Sequence, residues 1–347
     1  KVDALLVRLG LDPQALVTVR GSGALARHLP EGRPIRARQL LGELVELQDP
    51  AHRRDIERLH AATRCPHARA ELSAWLGESP NDEAARARLH AQVTVPRRSV
   101  ADLLLQFPAI EWTLADFLLG CTPMRPRWYS VSSSPLRDPA SLTLTVGSLD
   151  APAIGREGRH RGVASNHLCG LRAGDVVHGQ LRTPQPDFAP PEEAAMPIVM
   201  IGPGTGIAPF RGFLEDRAAR RDAGATLGGA WLFTGARHPA HDDLYGEQIR
   251  AWAREGLVEP VHAYSCLAAH PWRYVQDAVW AHGAQVWRCL DEGGRIYVCG
   301  DGKAMAPAVR DTLRRLHQAR TGADEAQSAR WLAGLIDAGR LRQDVFN

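Results

Sequence analysis

Nothing in this sequence places two cysteines at a C-x-x-C spacing. The six cysteines, Cys65, Cys121, Cys169, Cys266, Cys289 and Cys299, are scattered. That argues against a zinc site or a thioredoxin-type pair and for a reducing compartment. Also missing is an apolar run near the ~20 residues that a membrane span needs, so no membrane partner is expected. The N-terminus has no basic stretch followed by an apolar one, so no signal peptide is read and a cytoplasmic location is expected. An excess of one charge is lacking too: 42 basic residues against 39 acidic leave a net charge of +3. Nucleic-acid binders usually cluster their basic excess, so no such partner is expected. There is no internal repeat and no low-complexity tract. What is present, 347 residues with 44% hydrophobic and 23% charged, suffices for two or three domains with cores of their own. The chain starts at Lys1, already in amphipathic sequence, and is expected to be a piece of something longer.

Along the chain the texture changes twice. Residues 1–126 read as mostly helical, with one short strand candidate, "LVTVR" at 16–20. "ARQLLGELVELQDPAHRRDIERLHAATR" (37–64) carries the 3.6 period, broken at Pro50, and "ARAELSAWLG" and "SVADLLLQFPAIEWTLADFLLG" continue it. Arg53, Arg54, Arg58 and Arg64 form a basic helical face, either a solvated surface or a dock for an acidic protein. From Pro126 to Pro191, "RWYSVSSSP", "SLTLTVGSL" and "DVVHGQLRTP" are short alternating runs between Gly, Pro and Asp, the pattern of a small antiparallel barrel. From Pro197 strands and helices alternate, as in "PIVMIG" before "APFRGFLEDRAARR" and "RIYVCGDG" before "APAVRDTLRRLHQAR". That order predicts a doubly wound parallel sheet.

Three stretches carry chemistry. In "PIVMIGPGTGIAPFRGF" a buried strand ends in Gly202-Pro203-Gly204-Thr205-Gly206 and a helix follows. Glycines let a phosphate approach the backbone closely, and the N–H groups of a helix start favour an anion. The spacing is G-x-G-x-G, so a plain tight turn is the competing reading. In "RWYSVSSSP", Arg127 offers a bidentate guanidinium for phosphate, Tyr129 a flat ring, and Ser130 a hydroxyl for a ligand's edge. A half-buried strand with a surface arginine fits equally well. In "RGVASNHLCGL", Gly162, Ser165 and Asn166 open a short helix, as a cap or as a second pyrophosphate loop. Beyond these, Cys299 stands where the apolar run Ile296-Tyr297-Val298 opens into Gly300-Asp301-Gly302. It is either core filler or a thiol set against a cofactor.

In order and spacing, "RWYSVSSSP", "GVASNHL", "IGPGTGIAPFRGF", "YVQD" and "IYVCGDGKAMAPAV" resemble the diflavin branch of the ferredoxin-NADP reductase superfamily. The helical part, with "VELQDP" and "TPMRPRWYS", resembles the connecting domain of cytochrome P-450 reductases. The nearest likeness is to the reductase half of self-sufficient bacterial P-450 fusions, over essentially the whole chain. The fold implied is α/β plus β-barrel. A helical connecting domain would occupy 1–126, an antiparallel FAD-binding barrel 127–191, and a doubly wound NADP(H)-binding domain 192–347.

The resemblance implies roles. Arg127, Tyr129 and Ser130 match residues that hold FAD at its pyrophosphate, ring face and N5, and Trp128, Thr143 and Val146 are counted with them. Gly162, Val163, Ala164 and Ser165 match the second flavin pyrophosphate loop. Gly204 and Thr205 match the NADPH pyrophosphate loop, with Arg237, Ser265, Arg273, Tyr274, Gln276, Asp301 and Met305 around the rest of that nucleotide. Ser130, Cys299 and Asp344 match a catalytic trio at the site of hydride transfer. Phe346 matches an aromatic residue, commonly Trp, that stacks on the flavin and swings aside for nicotinamide. The activity implied is hydride transfer from NADPH to FAD, then single electrons to an FMN-binding flavodoxin-like domain and on to a haem monooxygenase on the same polypeptide. The flavoprotein of sulfite reductase, another diflavin reductase, and a non-catalytic docking module are the alternatives.

The pattern departs from the family in places. Cys266 stands where an arginine is usual and Trp272 where a lysine is usual, in the segment that reads the 2′-phosphate. Arg273 is adjacent, and the second strand ends at Arg237 rather than at an acid that would grip a free ribose. NADPH is the first-choice donor, with relaxed use of NADH as the alternative. The family's first barrel strands and its FMN domain are expected upstream of Lys1.

Overall fold

The structure is a computed structural model, and it describes residues 1–21, 29–155, 157–183 and 188–346. It resolves into two compact units, Lys1–Arg127 with Ser148–Asn166, and Trp128–Gly147 with His167–Asn347.

The first unit is mostly helical, as its 3.6 period predicts. Helix α1 (Val2–Arg8) is followed by a two-stranded antiparallel ribbon, β1 (Leu16–Thr18) and β2 (Pro34–Arg36). Helices α2 (Arg53–Ala62), α3 (Pro66–Leu76), α4 (Glu83–Leu89), α5 (Val100–Gln106) and α6 (Leu114–Gly120) follow. The expected break at Pro50 is present: helical turns cover 37–44, and α2 starts afresh after His52. Local chemistry sets the starts. Asp102 accepts the Ser99 N–H at 2.9 Å, and Asp116 accepts the Thr113 N–H at 3.0 Å. Each carboxylate satisfies a donor that the helix leaves unpaired. Leu5, Leu40, Leu41, Ile56, Leu59, Leu72 and Phe117 form the core. On the arginine face, Arg53 pairs with Glu57, while Arg58 donates to the Asp116 carbonyl and lies over the Trp112 ring. The solvated, self-satisfied reading of that face therefore fits better than a dock. A short ribbon, β3 (Asp150–Pro152) with β4 (Arg159–Arg161), leads into α7 (Val163–Gly170).

The second unit is built on a five-stranded parallel sheet in the order β7-β6-β5-β8-β9. Its strands are β5 (Ile198–Ile201), β6 (Ala230–Ala236), β7 (Glu259–Tyr264), β8 (Arg295–Asp301) and β9 (Leu341–Phe346). Helices α8 (Ala208–Asp222), α9 (Gly246–Arg254), α10 (Val275–Ala281), α11 (Gly283–Asp291), α12 (Met305–Thr321) and α13 (Glu325–Asp337) make the crossovers. Successive residues of a strand face opposite sides. Val199, Ile201, Ile296 and Val298 accordingly join one core, and Ile198, Met200, Tyr297 and Cys299 join another. This is the doubly wound arrangement that the alternation of elements predicts, buried on both faces.

The runs expected to form a barrel contribute little pairing within the described residues of this unit. Val131 and Leu144 form an isolated bridge, and Ser132 N donates to Thr143 O at 2.8 Å. Val176, Val177 and Leu181 are 75%, 51% and 74% exposed, so the third run lies open, and Pro184 at its end is outside the described residues. The 132–145 stretch is instead held by a side chain. Arg211 on α8 donates to the Ser132 carbonyl at 2.6 Å and to Thr143 Oγ1 at 3.2 Å, and pairs with Glu215 at 2.8 Å. Its guanidinium lies 5.0 Å from the Tyr245 ring centre, and the Tyr245 hydroxyl meets Thr145 Oγ1 at 2.7 Å.

Between β5 and α8 the chain makes a single 3-10 turn, Gly204–Ile207. Gly204 has φ +56°, in the region that glycine enters without strain. A β-carbon at Gly206 would strike the Cys299 carbonyl of β8. Gly206→Ala is therefore expected to destabilise the protein by about 1–3 kcal/mol through overpacking. Chemical denaturation checks it, and unchanged stability would contradict the close approach.

Candidate functional site

Parallel pairing of β8 with β9 sets Cys299 opposite Asp344. Ser130 Oγ donates to Asp344 Oδ2 at 2.7 Å, and Cys299 Sγ lies 4.0 Å from the same oxygen. The three residues predicted as a catalytic trio therefore share one carboxylate. Cys299 has no exposed surface. Burial, and then the Asp344 charge, push its thiol up to about 12, so it stays protonated at neutral pH. A protonated, buried sulfur is not a nucleophile. Phe346 lies two residues beyond Asp344 on the same strand, 51% exposed, and its carbonyl accepts the Gly302 N–H at 2.8 Å.

The glycine turn lies next to this trio. Gly204 is exposed and Thr205 half-buried, while Gly206 packs against β8. Asp301 and Met305 also have local partners. The Asp301 carboxylate accepts the Lys303, Ala304 and Met305 N–H groups at 3.2, 2.7 and 3.1 Å, closing the start of α12. Those backbone donors hold its carboxyl below the usual carboxylate range. Met305 is buried in the core.

A second cluster gathers at the C-terminal ends of β6 and β7, the side of a doubly wound sheet where ligands bind. Ser265 N and Cys266 N donate to the Ala236 and Arg237 carbonyls at 3.0 and 2.9 Å, tying the two strand ends together. The Arg273 guanidinium sits 5.3 Å from the centre of the exposed Tyr274 ring, and Gln276 is half-buried on α10. The Asp277 carboxylate accepts the Tyr274 N–H at 3.0 Å and fixes the start of that helix. Trp272 is half-buried against the core, its ring 4.9 Å from that of His282. It is a packing residue, so no cation replaces the lysine expected there.

The remaining predicted residues fall into place as follows. In the first unit, Arg127 pairs at 2.8 Å with Glu46, whose side chain is only 2% exposed. Ser165 Oγ accepts the Leu149 N–H at 3.1 Å, and Asn166 Nδ2 donates to the Gly162 carbonyl at 2.9 Å. A β-carbon on Gly162 would lie 2.7 Å from Ser165 Oγ, so the loop before Val163 and Ala164 is closely wound. In the second unit, Trp128 is exposed beneath the Arg182 guanidinium, 4.5 Å from its ring centre. Tyr129 and Val146 are half-buried, and Thr143 Oγ1 meets Ser132 Oγ at 2.9 Å. Sequence reasoning missed Glu46, which aims Arg127, and Arg211, which holds the Ser130–Thr145 segment. The signal for Arg211 was its i,i+4 relation to Glu215 within "FRGFLE". Glu46 lies in "VELQDP", quoted above only for its likeness to a connecting domain.

Comparison with known proteins agrees with this geometry. Residues 1–167 match the family model of an FAD binding domain, and residues 200–311 match that of an oxidoreductase NAD-binding domain. The chain belongs to the ferredoxin-NADP-reductase-like flavoproteins built from these two domains. Among curated proteins it is 39% identical over 345 residues to the bifunctional cytochrome P450/NADPH–P450 reductase 2 of Bacillus subtilis, covering 99% of this chain and 32% of that one. The bifunctional cytochrome P450/NADPH–P450 reductase of Fusarium oxysporum is 40% identical over 291 residues, which cover 83% of this chain and 26% of that one. A self-sufficient cytochrome P450 monooxygenase of Phanerodontia chrysosporium is 36% identical over 350 residues, covering 99% and 32%. The chain thus spans about a third of the length of the curated relatives it matches. Among the described residues no helix is long and apolar enough to cross a membrane.

The burial of Cys299 has a direct consequence. Brief alkylation of the folded protein at mildly alkaline pH is expected to label the exposed Cys169 and Cys266 and to spare Cys299 until the chain is unfolded. Peptide mass spectrometry reads this out, and rapid labelling of Cys299 would contradict a protonated, enclosed thiol.

Proposed function

We propose that this chain is the FAD- and NADPH-binding module of a flavin reductase. The observation that carries the reading is the Ser130–Asp344–Cys299 cluster beside a glycine turn at the carboxyl end of a parallel sheet. FAD, when bound, accepts a hydride from the nicotinamide and releases its electrons one at a time. Everything else is the work of this chain's residues.

Arg127, aimed by Glu46, and the tight loop Gly162–Val163–Ala164–Ser165 are the groups for the flavin pyrophosphate. Tyr129 presents a ring to the flavin, with Trp128, Thr143 and Val146 around it. Ser130 holds its hydroxyl proton toward Asp344, ready to be shared with the flavin edge. Gly204 and Thr205 offer backbone donors at the start of a helix to the pyrophosphate of the nicotinamide nucleotide. Arg237, Ser265, Arg273, Tyr274 and Gln276 serve its adenosine end. Asp301 and Met305 contribute by fixing the helix and core behind the turn. Asp344 supplies negative charge where the nicotinamide becomes positive, and the Cys299 sulfur sets the approach of donor to acceptor. Phe346, exposed at the end of β9, is the ring that would stack on the flavin and give way to nicotinamide.

In the whole protein the electrons pass to an FMN-binding flavodoxin-like domain and then to a haem monooxygenase on the same polypeptide. That order is supported by the likeness to the bifunctional relatives. The functional division follows as a connecting domain at 1–126, the FAD domain at 127–191 and the nucleotide domain at 192–347, in the cytoplasm.

Cys299→Ala is expected to slow flavin reduction by NADPH about a hundredfold, because a small loss of alignment at the reacting atoms is amplified in rate. Bound FAD should be retained, since the thiol holds none of the pyrophosphate contacts. Anaerobic stopped-flow absorbance measures the rate, and an unchanged rate would remove Cys299 from the reacting pair.

A further inference from the structure

Among the described residues only Arg97 and Tyr245 enter the left-handed backbone region without being glycine. Tyr245, the residue before α9, has φ +59° and ψ +18°. That conformation is strained for an aromatic residue, and such strain persists only where surrounding contacts hold it. Three contacts hold Tyr245. Its side chain packs against the core that contains Phe210 and Ile249. The Arg211 guanidinium lies over its ring, 5.0 Å from the centre. Its hydroxyl meets Thr145 Oγ1 at 2.7 Å. Gln248, three residues further on and on the same side of α9, accepts from Arg211 Nε at 2.9 Å. The start of α9 thus grips Arg211 by a ring and by an amide, and reaches past it to Thr145.

Thr145 occupies a particular place. Val131 and Leu144 bridge in the antiparallel sense, so the next position along each run sets Thr145 opposite Ser130. Ser130 is the residue whose hydroxyl donates to Asp344 at 2.7 Å. Arg211 fixes the other side of the bridge, at the Ser132 carbonyl and Thr143 Oγ1. One bridge alone specifies a register weakly, so the side-chain anchors on both sides of it decide where Ser130 sits. Two residues beyond Thr145 the chain passes the glycine turn: a β-carbon on Gly147 would lie 3.3 Å from Thr205 Cγ2. We propose that Tyr245 is a positioning residue for hydride transfer: its hydroxyl holds Thr145 and thereby fixes Ser130 against Asp344. The inference rests on the reductase reading above.

The test uses Tyr245→Phe, Thr145→Val and the double variant. Phenylalanine keeps the ring, its packing and the Arg211 contact, and removes only the hydroxyl. In the FAD-loaded protein, Y245F is expected to lower the limiting rate of flavin reduction at saturating NADPH about tenfold, the scale of one lost hydrogen bond felt at the reacting atoms. The NADPH concentration giving half that rate, and the bound FAD, should not change. T145V should match Y245F, the double variant should fall no further than either, and Thr145→Ser, which keeps the hydroxyl, should stay near the native rate. A merely structural role lowers Tm or FAD content and leaves the rate per bound flavin unchanged. That result overturns the proposal, as does a double variant whose losses multiply. Backbone hydrogen exchange, which needs neither flavin nor nucleotide, separates this assignment from the reading beneath it. Y245F should speed exchange at residues 130–133 and 143–147. If it does, and NADPH reduces the flavin in no variant and not in the native protein, the reductase reading fails and the hold of Tyr245 on Ser130 stands. If exchange is unmoved as well, both fail. If the native protein is reduced and Y245F is reduced at the same rate, this assignment alone fails.

Discussion

The parallel pairing of Leu341–Phe346 with Arg295–Asp301 is the constraint on which the rest of the site depends. It sets Asp344 directly across from Cys299, and a slip of one residue would turn Asp344 to the other face of the sheet. Several groups hold that register. Leu341 is buried in the core, and Arg340, just before it, donates to the carbonyls of Leu290 and Gly294. A carboxylate on an edge strand costs little while its outer side remains wet. The Ser130 hydroxyl satisfies the inner side.

The glycine turn depends on the same strand. Gly206 lies so close to the Cys299 carbonyl that the turn, the sulfur and the start of α8 form one packed layer. That helix reaches further through Arg211, which takes hold of the Ser132 carbonyl and Thr143, while Glu215 accepts the Ser134 N–H at 3.0 Å. The segment carrying Tyr129 and Ser130 is thus tied to the helix that follows the glycine turn. Charge-assisted contacts there add to the antiparallel bridge between Val131 and Leu144.

Much of this was legible in the sequence, for physical reasons. Strand β5 is four consecutive apolar residues before a glycine turn, which only a strand covered on both faces tolerates, so the parallel sheet could be read directly. The 3.6 period of residues 37–64 and its break at Pro50 likewise followed from side-chain chemistry. The roles of Ser130, Cys299 and Asp344 came from family likeness, and no spacing links residues 214 positions apart. The barrel runs were the least legible. Alternation records a half-buried face but not whether a partner edge is available. Asp301 and Met305 were placed by the nucleotide through family likeness; helix closure and core packing use the same residue types. Glu46, which grips an arginine expected to meet phosphate, lies in "VELQDP", a stretch whose likeness to a family carried no role for the single carboxylate.

The central claim is that hydride transfer occurs at the carboxylate shared by Ser130 and Cys299. The most direct measurement is anaerobic flavin bleaching by NADPH carrying deuterium at the transferred position, in the native protein and in Ser130→Ala. The account predicts a primary isotope effect on bleaching in the native protein, and in the variant a slower bleach that keeps the isotope effect and the bound flavin. Equal rates in the two proteins would contradict it.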